Sequence, residues 1–166
     1  GEAHVTPASH INPYLVDAQT VFIEKRSKPI FEAPAMTKGN QPTDGGNLLL
    51  SDNEKNDLLS KEPNAAQWIR PFLGAEEFLN KQSRWCLWLK DTPPAQLKAM
   101  PIVMQRVAAV REMRLASPKV PTQKLADYPT LFGEIRQTDQ PYLLIPSVTS
   151  ENRKYIPIGY FEPNVI

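Results

Sequence analysis

Residues 36–51 read MTKGNQPTDGGNLLLS. How this stretch is read decides whether the chain is a nucleotide-binding α/β enzyme or something else. A phosphate-cradling P-loop needs G-x-x-x-x-G-K-[ST], with the lysine directly after the last glycine and an apolar strand in front. Here Gly45-Gly46 is followed by Asn47, and the preceding FEAPAMTKGN is not a clean buried strand. Gln41-Pro42-Thr43-Asp44 suits a type I turn with proline in second place, and Asp44-Gly45 adds a hairpin-type signal. The stretch therefore reads as a turn that launches a strand over residues 47–50. A weaker option is that amides near the glycine pair, with Lys38, hold one phosphate.

The rest of the chain suits a folded domain. Its 166 residues are 41% apolar and 22% charged, ordinary values for a globular domain. A chain of that length is close to one domain and can bury a core of its own. No apolar run approaches the ~20 residues of a membrane helix. The N-terminal GEAHVTPASH has neither the basic nor the apolar region of a secretory signal. One cysteine, Cys86, excludes an internal disulfide and fits a reducing compartment, so a cytoplasmic location is expected. It lies in the most apolar strand and reads as a buried, inert thiol. Seventeen prolines, about twice the usual share, predict short elements joined by stiff loops.

Five strands are expected, at residues 20–24, 47–50, 85–89, 142–145 and 155–161, each a short apolar run bounded by proline, glycine or charge. Pro157 marks an edge or bulge in the last. Ser51 and Glu54 have capping-box spacing, which predicts a helix that stops before Pro63. Further short helices are expected at 65–70 and 94–99, and the Glu76-Glu77 pair suits a helix start. The longest helix is predicted over 102–116, after Pro101. On it Val103, Val107 and Val110 form one stripe that Arg114 continues; Arg106 lies beside the stripe and Arg111 on its edge. Those arginines either snorkel over the core or reach for a ligand phosphate or base edge.

Catalytic constellations are missing. The histidines, His4 and His10, have no Cys/His cluster to complete a metal site. No G-x-S-x-G elbow occurs, and nothing resembles a strand–GxG–helix cofactor turn. Asn12-Pro13-Tyr14 lacks the second proline of an amino-methylating motif and reads as an Asn-Pro turn. Charge is more informative. Residues 84–124 carry eight basic side chains against two acids, as a polyanion-facing surface would. The cluster 150–154, SENRK, stands between two predicted strands. It holds side chains that read base edges, Arg for guanine, Asn for adenine and Glu for cytosine; a solvated hairpin loop would have the same composition. A second reading is a protein-interaction domain anchored by Trp68, Trp85 and Trp88. An independent hydrolase or phosphotransferase is a third.

Five stretches in order, HINPYLVDA (10–18), MTKGNQPTDGGNLLLS, WIRPFLGAEEFLNKQSRWCLWL (68–89), RVAAVREMRLAS (106–117) and YLLIPSVTSENRKYIPIGYF (142–161), resemble the target recognition domain of MmeI-like (type IIL/IIG) DNA methyltransferases. Those are single-chain restriction–modification enzymes of bacteria. The resemblance spans nearly the whole chain. It implies that residues 1–166 are one recognition domain, excised from a longer adenine-N6 methyltransferase that uses S-adenosylmethionine, in a family whose chains also carry a nuclease region; whether this parent cuts is left open by the sequence. The implied partners are double-stranded DNA and the methyltransferase domain of the same parent chain, with no membrane. The fragment itself would hold no catalytic residue, cofactor or metal. The implied fold is α/β (α+β): a twisted mixed or mostly antiparallel sheet, short helices and long recognition loops. Base reading would fall to Glu151 and Arg153, then Asn152 and Lys154. Phosphate contacts would come from Lys38, Arg106, Arg111, Arg114, Lys119 and Lys124.

Overall fold

The turn at 41–47 is built differently from the expected type I turn. Thr43 has φ +46°, a left-handed value that the third position of a type I turn does not take. The tight turn lies one step on, at Asp44–Asn47. Gly45 and Gly46 both have positive φ, and the Asn47 N–H donates to the Asp44 carbonyl at 3.3 Å, as in the primed turn that a central Gly-Gly pair favours. The buried Asp44 carboxylate accepts from the Leu48 N–H at 2.5 Å. Two amides after the glycine pair are thus already taken by the turn itself.

The computed structural model describes residues 5–22 and 24–166. They fall into two units, Gly1–Met36 and Thr37–Ile166. In the larger unit, the turn feeds β1 (Leu49–Leu50), which pairs antiparallel with β3 (Trp85–Leu87). The other edge of β3 takes β2 (Ile69–Pro71), also antiparallel, giving the order β1-β3-β2. A separate ribbon joins β4 (Tyr142–Leu144) to β5 (Gly159–Phe161). The α/β class with antiparallel strands holds, shared between two small sheets. Each strand is shorter than its apolar run, and β5 starts only at Gly159, after Pro157 has removed a ladder donor.

The helices are α1 (Asp52–Lys61), α2 (Ala75–Asn80), α3 (Pro94–Lys98), α4 (Pro101–Leu115) and α5 (Val120–Lys124). The capping box forms as predicted. The Ser51 Oγ accepts from the Glu54 N–H at 3.3 Å, and Glu54 Oε2 accepts from the Ser51 N–H at 2.9 Å. Glu76 and Glu77 do enter the first turn of a helix. The helix expected at 65–70 is instead a 3-10 stretch, Pro63–Trp68, followed by β2. Pro71 pushes the residue before it out of helical space, so Arg70 goes to the sheet. α5 was not anticipated, although Pro121 in its first turn is a favoured start signal.

Val103, Val107 and Val110 bury along α4 together with Leu48, Leu50, Leu87 and Met100. The exposed N–H groups at the start of α4 are met from far away in sequence. Glu62, buried at the end of α1, accepts from Ile102 N–H at 2.5 Å and from Val103 N–H at 3.2 Å, which stabilises both the orphan donors and the helix dipole.

Arg114, expected at a phosphate, lies at 0% exposure. Its Nε donates to the Thr43 carbonyl, Nη1 to those of Leu125 and Tyr128, and Nη2 to those of Pro42 and Leu131, at 2.7–3.0 Å. A guanidinium has five N–H donors in a rigid fork, and here every one has a carbonyl. Burial lowers its pKa, while the Asp44 carboxylate opposes the shift. The arginine ties the 42–43 turn, the 3-10 stretch Leu125–Asp127 and the following loop to α4.

In the smaller unit, Ile11 and Asp17 form an antiparallel bridge. Asn12 Oδ1 accepts from the N–H groups of Tyr14 and Val16, so the Asn-Pro turn forms as read. The strand expected at 20–24 is absent at residues 20–22 and 24, and Ile23 and His4 lie outside the described residues. Val21 and Phe22 remain exposed, without the partner strand that would bury them.

Replacing Arg114 with Met should cost about 3–5 kcal/mol, because it leaves buried carbonyls without donors. Arg114→Lys should recover little of it, since an ammonium cannot span that fork. Urea unfolding measures both; a loss below about 1 kcal/mol for Arg114→Met would show that the arginine is not the tie described.

Candidate nucleic-acid interface

The loop between β4 and β5 carries the four expected base readers. A turn begun by Ser150 shapes it: Arg153 N–H donates to the Ser150 carbonyl at 3.1 Å, and Asn152 N–H to Ser150 Oγ at 3.2 Å. Glu151, Asn152, Arg153 and Lys154 are all exposed. None has a side-chain hydrogen bond or ion pair among the described residues; Lys154 Nζ stands 5.8 Å from the Tyr155 ring centre. The side chains are thus uncommitted while the backbone under them is held.

The ribbon below is bolted in place. Phe161 meets Phe78 edge-on at 5.8 Å, and the Tyr142 hydroxyl donates to the Val165 carbonyl at 2.8 Å. Gly159 leaves room for this contact, since a Cβ there would sit 2.4 Å from Phe161 and 2.8 Å from Phe78. The opposite face of the ribbon, with Leu143 and its register partner Tyr160, is exposed.

The basic segment divides into two groups. Arg106, like Arg114, is committed within the unit. It donates to the Asn47 carbonyl at 3.0 Å and to Glu54 Oε1 at 2.9 Å, joining α4 to β1 and α1. Arg84 pairs with the buried Glu77 at 3.1 Å. In contrast, Lys38, Arg111, Lys119 and Lys124 are exposed and make no side-chain hydrogen bond or ion pair among the described residues. Arg111 ends an exposed face of α4, and Lys119 and Lys124 flank α5, which packs on α4. Lys38 lies on the segment leading to the 41–47 turn.

Sequence reasoning missed the exposed Tyr155, placed within a strand but lying in the loop beside Lys154. Pro157 was the available signal. The tryptophans are used inside the unit. Trp88 meets Phe132 edge-on at 5.1 Å, Trp85 Nε1 donates to Asp52 at 2.7 Å beneath Lys55, and Trp68 packs against the core. A partner surface anchored on those three rings loses its anchors. Cys86 is fully buried, and desolvation pushes its thiol up to about 12. Among the described residues, no group of acids, histidines and cysteine could hold a metal ion, and no helix is long and apolar enough to cross a membrane.

A reading domain of this kind, with a firm frame and uncommitted polar loops, has a known family. The chain belongs to the MmeI target recognition domain family, whose model matches residues 17–166. It is 37% identical over 151 residues to DNA methyltransferase A of Bacillus subtilis (strain 168), covering 91% of this chain and 17% of that protein. It also resembles the solved structure of the type IIL restriction-modification enzyme MmeI in complex with DNA, at 46% identity and a TM-score of 0.86, over 100% of this chain and 22% of that one. The chain thus spans about a fifth of the length of these relatives.

Glu54 gives the frame a pH signature. The Ser51 backbone N–H, then the Arg106 guanidinium, hold its carboxyl down to about 2, against an ordinary 4.5. A depressed carboxyl contributes stability above pH 4.5 that is lost as pH falls toward 2. Glu54→Gln should therefore be less stable than the parent at pH 7, with the gap closing between pH 4.5 and 2. The side chain is half exposed, so solvent screening keeps the gap modest. Urea midpoints across that range measure it, and a gap independent of pH contradicts the assignment.

Proposed function

We propose that this chain is the DNA-reading module of a restriction–modification methyltransferase. The observation that carries the reading is its likeness, over its full length, to an enzyme solved in complex with DNA. The arrangement of charge supports it. The arginines that hold the frame are internal, whereas Lys38, Arg111, Lys119 and Lys124 are free to meet phosphates, which set affinity and orientation. Glu151, Asn152, Arg153 and Lys154 supply donors and an acceptor for base edges, and a two-stranded ribbon is narrow enough for a major groove.

The parent's chemistry lies elsewhere in this reading. The name of the Bacillus subtilis relative supports methyl transfer, and adenine N6 as the acceptor extends the sequence resemblance. S-adenosylmethionine would supply the methyl group, but this chain does not fit it. None of its seven glycines stands in a G-x-G, and one of its clefts is lined by the acids Glu54, Glu76 and Glu77 with Arg84. The module would grip the duplex while the parent's catalytic domain takes a flipped base.

Arg153→Ala in the intact enzyme should weaken discrimination at one base position by about 1–3 kcal/mol. Methylation of a set of single-base variant sites reads this, and an unchanged preference rejects the role of Arg153. Lys119→Ala or Lys124→Ala should weaken binding alike on all sequences and lower the slope of log affinity against log salt by about 1. A duplex shift assay at several salt concentrations tests it; an unaltered slope removes that lysine from the phosphate face.

A further inference from the structure

Ten of the twenty exposed large apolar side chains among the described residues lie in the first 36. They include Leu15 at 86% exposure, with φ +59°, a conformation that costs a branched residue energy and that structures keep at functional positions. Local bonds impose it. The Leu15 N–H donates to the Asn12 carbonyl at 2.9 Å, and Asn12 N–H donates to the Val16 carbonyl at 3.0 Å. Asp17 closes the base by accepting from Ser9 and His10. The loop is built by its own polar side chains, and what it turns outward is Ile11, Leu15 and Val16.

Charge discriminates between occupants. Residues 5–22 contain no lysine or arginine, so the loop brings no fixed positive charge to a polyanion, and its exposed apolar side chains suit a protein surface. The family match starts at Asp17, inside the loop, while the solved relative covers residues on both sides. The chain amounts to 17% and 22% of its relatives, so most of the length of those proteins lies outside it.

We propose that the loop 10–18 is the docking element that seats the recognition module on the catalytic part of its own longer polypeptide, with Leu15 as the anchor. This rests on the reading of the chain as a module of a methyltransferase. The Asn12 side chain, which accepts from the Tyr14 and Val16 N–H groups on either side of Leu15, shapes the loop.

The test places a photocrosslinker in the intact parent polypeptide, Leu15→p-benzoylphenylalanine, with no DNA present. The expected product is a crosslink within one polypeptide to a peptide outside these 166 residues. Crosslinks only to residues 37–166, crosslinks to a second copy, or none, overturn the proposal. In parallel, Leu15→Asp should lower methyl transfer by the intact enzyme at least tenfold, while the same change leaves the urea midpoint of the 166-residue chain in place. Unaltered methyl transfer also overturns it. The methyltransferase reading fails on different evidence, namely a wild-type parent that neither shifts a duplex nor methylates it, whatever the crosslinks show.

Discussion

The larger unit depends on one buried cation. Arg114 ends the apolar stripe of α4 and reaches five carbonyls in three segments of chain, the 42–43 turn, the 3-10 stretch and the loop after it. Loops rich in proline cannot satisfy their own carbonyls through regular ladders, because proline supplies no donor and blocks helix and sheet alike. A single fork of donors meets that need where a hydrophobic residue could not. Burying the charge is expensive, and it is tolerated because every N–H is bonded and Asp44 lies close enough to favour the charged form.

The same device recurs with opposite sign. Glu62 meets the amides at the start of α4, Glu77 meets the Gly74 N–H and Arg84, and Asp44 meets the Leu48 N–H. Short helices and two- or three-residue strands are weak alone. Here they are held by buried charged side chains, each bridging segments distant in sequence or fixing a turn. The cations left outside this network are those available to a ligand.

Much of the local structure was legible because it obeys local rules. The Ser51–Glu54 box, the valine stripe of α4, the Asn12 turn and the inert thiol follow from neighbours in sequence. The short apolar runs around Leu49, Cys86, Leu143 and Tyr160 were correctly read as strand-forming. Pairing order and the Glu62 cap were not legible, since each depends on a partner many residues away, whereas the 3-10 turn in place of a helix at 65–70 had a local signal in Pro71 that the reading passed over. The basic segment shows the limit for the site. Composition gives Arg106, Arg111 and Arg114 equal standing, yet only packing reveals that Arg111 alone of the three is free. The 150–154 cluster was legible as a polar loop between strands, and the resemblance to a family, not the composition, singled it out.

Glu151, Asn152, Arg153 and Lys154 touch nothing that holds the fold, while the ribbon beneath them is anchored through Phe161, Tyr142 and Gly159. Replacement of these four side chains therefore carries little folding penalty. A lineage can revise this short segment residue by residue without passing through unfolded intermediates. Selection on what the tip contacts is, in this architecture, nearly independent of selection on whether the polypeptide survives.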